Sequence, residues 1–317
     1  SHRARYDREM IMLDIDGAFL KGTVDSRGRT FTLEAKLHRG KSRQLYSNGV
    51  RLKTAGELSG ILTTVLFCPE DLYLIREGAA ARRKFLDLAI CQLRPRYAQA
   101  LGEYNRLYEH KTRILRDWPE NPSLLQTLDD FSLRMAQTGA LVVHYRAHFV
   151  KRLQETAPPI HRDFSGGREK LSLRYETVST VTDPLAPPRT ILEEILAHQE
   201  RHRQAELDAR QCLTGPHKDD LAVELDGRSA KTYGSQGQTR TAALSLKLAQ
   251  REIFFQETEE YPVLLLDDVL SELDAKRQSF VLNHIQGGQI FITCCEEEKL
   301  EGLEQGRSFH IQGGKLI

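Results

Sequence analysis

The chain has 317 residues, 40% of them hydrophobic and 28% charged, with a formal net charge of +1. That length permits one large or two ordinary globular domains, and the near-neutral balance excludes a uniformly basic nucleic-acid binder. No apolar run approaches the ~20 residues that span a bilayer, and the five cysteines show neither metal-ligand spacing nor a disulfide framework, which suits a reducing cytoplasm.

The first part reads as an antiparallel meander. AFLKGTV passes through DSRG into RTFTLEAKL, where Phe31, Leu33, Ala35 and Leu37 alternate as in a half-buried strand. SRQLYSNGVRL holds Asn48-Gly49, the pair best suited to a two-residue hairpin turn, and ILTTVLFCPEDLYLI adds a further strand to this β-rich layer, ended at Pro69. From about Arg76 the period turns helical, with an interruption at Pro95. PENP breaks the pattern before a second long helix, SLLQTLDDFSLRMAQTGALVVHYRAHFVKRLQET. APPIHRDFSGG is expected to be a loop, KLSLRYETV a strand, DPLAPP a loop and TILEEILAHQERHRQAELDAR a helix. Between Arg76 and Trp118 ten Lys/Arg stand against five acids; such an excess could meet a phosphate backbone, but on charge alone an ordinary solvated helix face is the favoured reading.

After LTGPHKDD the chain returns to sheet. LAVEL, an Asp226-Gly227 turn and SAKTY read as a hairpin, and GSQGQTRTAALSLKLAQREIFF passes from a Gly-rich turn into a helix. Ala242, Leu246, Ala249 and Ile253 share one stripe of that helix, with Arg240, Lys247 and Arg251 opposite. A strand over 263–266, a helix from about Ala275 to Ile285, a Gly287-Gly288 stop and the strand QIFIT complete a βαβ unit. The expected fold is α/β: a mixed-sheet head over 1–75 and 211–317 with a mainly helical lobe, 76–210, inserted between.

Two stretches carry chemistry. YPVLLLDDVLSELD ends an apolar strand in Asp267 and Asp268, followed on the next turn by Ser271 and Asp274. Tandem carboxylates at a strand end suit a Walker-B role, in which the first holds the Mg²⁺ shell and the second orients or deprotonates the attacking water. Gly234-Ser235-Gln236-Gly237-Gln238 opens a helix, where unpaired N–H groups and the positive helix end favour a phosphate. The same turn also suits a simple N-cap.

GSQGQTRTAALSLKLAQ, LLLDDVLSELD, GPHKDDL and PEDLYLIREGAAARRKFLD (69–87) together resemble the RecF family of bacterial recombination-repair ATPases, whose heads are of ABC/SMC type. SHRARYDRE resembles the segment just after that family's first helix. The resemblance covers essentially the whole chain. It implies that Ser235, Gly237 and Gln238 form the signature motif that contacts the γ-phosphate of ATP held by the opposite subunit. Asp267 would be the magnesium residue, Asp268 the catalytic base, and Ser271 and Asp274 part of the loop crossing the dimer seam. Thr293 sits where transporter relatives carry a histidine, and no γ-phosphate-sensing role is assigned to it. Arg82, Arg83 and Lys84 are candidates for DNA contact or, equally, for an exposed helix face, and His217 receives no role. The implied function is an ATP-dependent dimeric clamp at DNA gaps that works with RecO and RecR to load RecA, without a membrane partner.

No G-x-x-x-x-G-K-[ST] run occurs in the sequence. AKLHRGKS has Ala35 in place of the first glycine and lies between alternating strands, so it is expected to be a hairpin turn; QGGKLI lacks the Ser/Thr. Because the family places its Walker-A loop ahead of the point corresponding to Ser1, the sequence is expected to lack that N-terminal segment and to be inactive alone. A transport ATPase subunit and a non-catalytic head are the competing readings. The long helical lobe, the Gly-Ser-Gln-Gly-Gln turn and Thr293 argue against the first, and the intact Asp-Asp pair against the second.

Overall fold

Strand pairing in the computed structural model, which describes residue 4 and residues 6–58, 60–177, 181–295 and 306–317, separates the meander from the sheet that carries the paired acids. The meander is β1 (Gly17–Ser26), β2 (Arg29–His38), β3 (Gln44–Ser47) and β4 (Val50–Arg51), antiparallel in that order. Both of its tight hairpins have positive φ at two central residues, Arg27-Gly28 (51° and 68°) and Asn48-Gly49 (49° and 79°). That geometry matches the right-handed twist of the strands. His38 to Ser42 turns between β2 and β3, with Gly40 at φ 72°, as expected of the false phosphate loop.

β5 (Thr64–Phe67) does not extend the meander. It pairs in parallel with residues 263–266 instead. TVLF alternates less in sequence than the strands before it; Val65 and Phe67, on one face, are fully buried, and Thr64 and Leu66, on the other, are half-buried, which suits a strand inside the parallel sheet. Non-local parallel pairing of this kind leaves no turn signal to read.

The helical lobe follows. α1 (Ala79–Leu93) and α2 (Pro95–Asp117) are separated only by Arg94, held extended at φ −133° and ψ 91°. A residue before proline is pushed out of the helical region, and proline is well placed at a first helical position. α3 (Leu125–Ser165) is 41 residues long and runs straight through Pro158 and Pro159 to Gly166, which is left-handed at φ 64°. The expected loop at APPIHRDFSGG is therefore helix up to Ser165, and only its two glycines form a turn. Interior prolines oppose this at roughly 3 kcal/mol each, but Ala157, His161 and Phe164 on the same segment are buried. His161 Nδ1 lies 3.2 Å from Ser245 Oγ, and Phe164 stacks on Phe280 at 3.9 Å between centroids. Tertiary packing outweighs local propensity here.

β6 (Leu171–Glu176) and α4 (Pro188–Ala209) complete the insertion, and β6 pairs antiparallel with β7 (Asp220–Leu225). The segments 76–210 and 211–317 thus share a sheet. β8 (Arg228–Ser229) closes the Asp226-Gly227 hairpin, but Ala230–Tyr233 is a helical turn, α5, rather than the rest of a strand. The long helix α6 (Gln236–Thr258) leads to β9 (Val263–Asp267), α7 (Ala275–His284) and β10 (Ile290–Thr293). The parallel sheet has the order β10-β9-β5, and a small hairpin of β11 (Ile311–Gln312) and β12 (Lys315–Leu316) lies at the end of the sequence.

α6 sits at the centre of this arrangement and packs along α3. Ala242, Leu246, Ala249 and Ile253 are buried as the stripe required, but so are Leu244, Leu248 and Arg251. Arg251 is not on a solvent face. Its Nη2 donates to the Gln286 and Gly287 carbonyls at 3.0 and 2.5 Å, and its guanidinium lies 4.0 Å from the Tyr261 ring centroid. Lys247 Nζ likewise turns inward, to Asp71 Oδ1 at 2.8 Å and Leu66 O at 2.9 Å. A helix covered on several sides can place cations inward only where carbonyls and carboxylates receive them.

Candidate functional site

β9 delivers the acid pair. Asp267 is its last residue and stands in direct parallel register with Thr293, the last residue of β10. The Thr293 hydroxyl donates to Asp267 Oδ1 at 2.7 Å and accepts the Asp268 N–H at 3.0 Å, while Thr293 O accepts the same N–H at 3.1 Å. Asp268 is left-handed, at φ 55°, a conformation that aspartate tolerates better than most residues. Ser271 Oγ donates back to Asp268 O at 2.6 Å and Oδ1 at 2.7 Å. Asp267, Asp268, Ser271 and Thr293 therefore form one hydrogen-bonded cluster at the end of two parallel strands. Sequence reasoning left Thr293 without a role; its signal was its place at the end of an apolar strand beside the acids.

The Gly-Ser turn lies at the start of α6. Ser235 is its N-cap: Ser235 Oγ accepts the Gln238 N–H at 3.3 Å, and Gln238 Oε1 accepts the Ser235 N–H at 2.8 Å. This reciprocal pair satisfies two donors at the helix start. Gly234 is required by space, since a Cβ there would lie 2.5 Å from Ala230 O. Gly237 leaves room for an arginine, as its Cβ would meet Arg277 Nη2 at 3.0 Å.

The loop after Asp268 links the two features. Arg240, on the second turn of α6, donates from Nη1 to Glu272 O at 3.2 Å. Asp274 caps α7 by accepting the Arg277 N–H at 2.9 Å and pairs with the Arg277 guanidinium. That guanidinium reaches back to α6, donating from Nε to Thr241 Oγ1 at 3.1 Å and from Nη2 to Gly237 O at 3.1 Å.

The basic triplet separates residue by residue. Arg82 is buried and cannot reach a nucleic acid from this position: it makes a bidentate pair with Asp220, both bonds 2.7 Å, and donates to Ile75 O and Glu77 O at 2.9 and 2.7 Å. Arg83 is half-buried and donates to Asp219 O at 2.7 Å, and Lys84 is exposed. Alternation of helix faces explains the split, because Arg82 shares the inward face with Phe85, Leu86 and Ala89.

These contacts join 69–87 to GPHKDDL. Arg146 on α3 pairs bidentately with Asp87 at 2.8 and 2.9 Å and donates to Pro216 O at 2.8 Å. The Tyr175 hydroxyl donates to Asp219 Oδ2 at 2.5 Å. His217 is held between the Tyr104 hydroxyl, 2.6 Å from Nδ1, and Cys212 O, 3.3 Å from Nε2. Burial pushes its pKa down to about 4, so it is neutral, with both ring nitrogens partnered. Beside this network a cavity of about 330 Å³ is lined by Arg83, Lys84, Asn105, Tyr104 and His217.

The carboxylate set suits magnesium better than a fully protein-bound ion. Among the described residues no group of three or more His, Cys, Asp or Glu converges on one point, and Mg²⁺ takes one or two carboxylates, keeps waters and shares substrate phosphates. No helix among the described residues is long and apolar enough to cross a membrane.

A parallel sheet with paired acids at a strand end, a helix entered through a glycine-rich turn, and a long helical insertion between the two parts of the head make up a mixed α/β head shared with solved DNA-repair proteins. No protein-family model matches the chain. The DNA replication and repair protein RecF of Acetivibrio thermocellus is 39% identical over 313 residues, covering 98% of this chain and 84% of that protein. The RecF of Agathobacter rectalis is 36% identical over 320 residues, covering 100% of this chain and 85% of that protein. The solved structure of the recombination mediator protein RecF-ATPrS in the RecFOR pathway superposes with a TM-score of 0.92 at 31% identity, over 100% of this chain and 84% of that one. The chain belongs to the RecF family of DNA replication and repair proteins.

Proposed function

We propose that this chain acts as one half of an ATP-dependent dimeric clamp on DNA gaps, working with RecO and RecR to load RecA. The observation that supports this reading best is the cluster at the ends of β9 and β10, in which Thr293 and Ser271 hold Asp267 and Asp268 by side-chain hydrogen bonds. Solved relatives described as RecF-ATP and RecF-ATPrS add support for the nucleotide.

In this reading Asp267 holds the Mg²⁺ shell and Asp268 accepts a proton from, or orients, the attacking water. Bound Mg²⁺ would neutralise charge on the β- and γ-phosphates. The Thr293 hydroxyl donates to Asp267 and so fixes which oxygen faces outward. Ser271 turns the Asp268 carboxylate toward the loop of the dimer seam. Ser235, Gly237 and Gln238 present the positive start of α6 to a nucleotide held by the other subunit; Ser271 and Asp274 lie along that seam. Lys84, with Arg83 at its side, is the DNA-contact candidate that remains after Arg82.

For ATP, the measurement is turnover by a form of the protein that bears a phosphate-binding loop, expected to be abolished by Asp268→Asn; turnover indifferent to that change would contradict the reading. For DNA, the measurement is titration of gapped duplex at two salt concentrations, with and without ATP, on a form of the protein that bears a phosphate-binding loop. Affinity that rises with ATP and falls with salt supports a clamp; affinity indifferent to ATP contradicts it.

A further inference from the structure

Arg277 makes more contacts than a helix cap needs. Its backbone N–H and guanidinium both engage Asp274, three residues earlier. Such a local pair would be complete in itself. Yet Nε and Nη2 leave α7 altogether and bind the first two turns of α6, at Thr241 Oγ1 and Gly237 O. The Thr241 hydroxyl in turn donates to Gly237 O at 2.9 Å, so the side chain and the turn share one network. Gly237 has no Cβ where the guanidinium approaches.

The loop on the other side is anchored as well. Ser271 is bonded to Asp268, and Arg240 reaches from α6 to Glu272, with a carbonyl bond at 3.2 Å and a carboxylate contact at 3.8 Å. The segment from Asp268 to Arg277 is thus strung between the acid pair and the Gly-Ser turn, with an arginine crossing in each direction. Asp274 is the exposed member of the chain, its side chain 53% accessible against 25% for Arg277.

We propose that Arg277 is a positioning residue that couples the loop of the acid pair to the Gly-Ser turn of the same subunit, so that what engages Asp274 shifts that turn. The significance of this coupling rests on the clamp reading, in which Asp274 lies at the dimer seam and the turn meets the other subunit's nucleotide. When a partner group takes the exposed Asp274 carboxylate, Arg277 loses its anchor, and its hold on Gly237 and Thr241 loosens or re-forms. A planar guanidinium serves this role because it can bind three groups in fixed directions; an ammonium is a point charge.

The test is hydrogen exchange of the nucleotide-free chain, so it does not depend on the clamp reading. Asp274→Asn keeps an oxygen that caps α7 but removes the charge that holds the guanidinium. It is expected to speed exchange of the Thr239, Arg240 and Thr241 amides about fivefold, leaving amides in the middle of α3 unchanged. In an Arg277→Gln background the same substitution is expected to change them by less than about twofold, and Arg277→Lys is expected to lie between the two. An Asp274→Asn effect confined to α7, or one equally large with and without Arg277, would overturn the proposal. Arg277→Lys keeps the test decisive should Arg277→Gln disturb folding, because α3 exchange reports folding separately.

Discussion

Replacing Arg82 by alanine separates a structural arginine from a DNA-binding one. The substitution removes both bonds to Asp220 and two bonds to backbone carbonyls. Breaking a buried ion pair from one side costs about 3–5 kcal/mol. The Asp220 side chain keeps 28% of its surface accessible and regains some hydration, which points to the lower end, about 3 kcal/mol. For a chain of this size, with an unfolding entropy of about 0.67 kcal/mol/K, that corresponds to a fall in Tm of about 4–5 °C, followed by circular dichroism. The double variant Arg82→Ala/Asp220→Ala is expected to lose less than the sum of the two single changes, by about 1–3 kcal/mol. DNA affinity per folded molecule should be unchanged in Arg82→Ala and reduced in Lys84→Ala. An Arg82→Ala protein with wild-type Tm and weakened DNA binding would refute the reasoning.

Thr293→Val keeps the shape but loses the hydroxyl that bridges Asp267 and Asp268, and should lower Tm by about 2–4 °C, with Thr293→Ser restoring it. His217 is neutral in the folded chain down to about pH 4, against 6.5 for an ordinary histidine. The unfolded chain therefore takes up the proton first, and stability is lost as pH falls from about 6.5 toward 4, by up to ~3 kcal/mol from this group. His217→Gln should flatten the pH dependence of Tm in that window, and an unchanged slope would contradict it. Burial, aided by Asp71, pushes the Cys68 thiol up to about 12. At pH 8 iodoacetamide should label exposed Cys295 well before Cys68, as read by mass spectrometry.

What was legible in the sequence was local. Asn48-Gly49 and Asp226-Gly227 specify their hairpins because positive φ at two successive residues demands such pairs, and Pro95 marks the α1–α2 break. The acid pair was legible because an apolar strand must end where its carboxylates reach water. What was not legible depended on distant partners. The place of β5 beside β9 is set by shared burial, and the continuation of α3 through Pro158-Pro159 by contacts with Ser245 and Phe280. The inward turn of Arg82 and Arg251 needed carbonyls and a carboxylate that lie far along the chain. The Gly-Ser turn showed both of its possible faces: a capping box in its side chains, and a glycine whose space is shared with Arg277.

The most direct measurement is complementation between two inactive variants of a form that bears a phosphate-binding loop. Ser235→Arg spoils the turn and leaves the acids; Asp268→Asn spoils the acids and leaves the turn. If the two features act across a two-fold seam, mixed dimers carry one intact site, and an equimolar mixture regains about a quarter of wild-type ATP turnover. A mixture as inactive as its components would mean that the acids and the turn do not act on one nucleotide from opposite subunits.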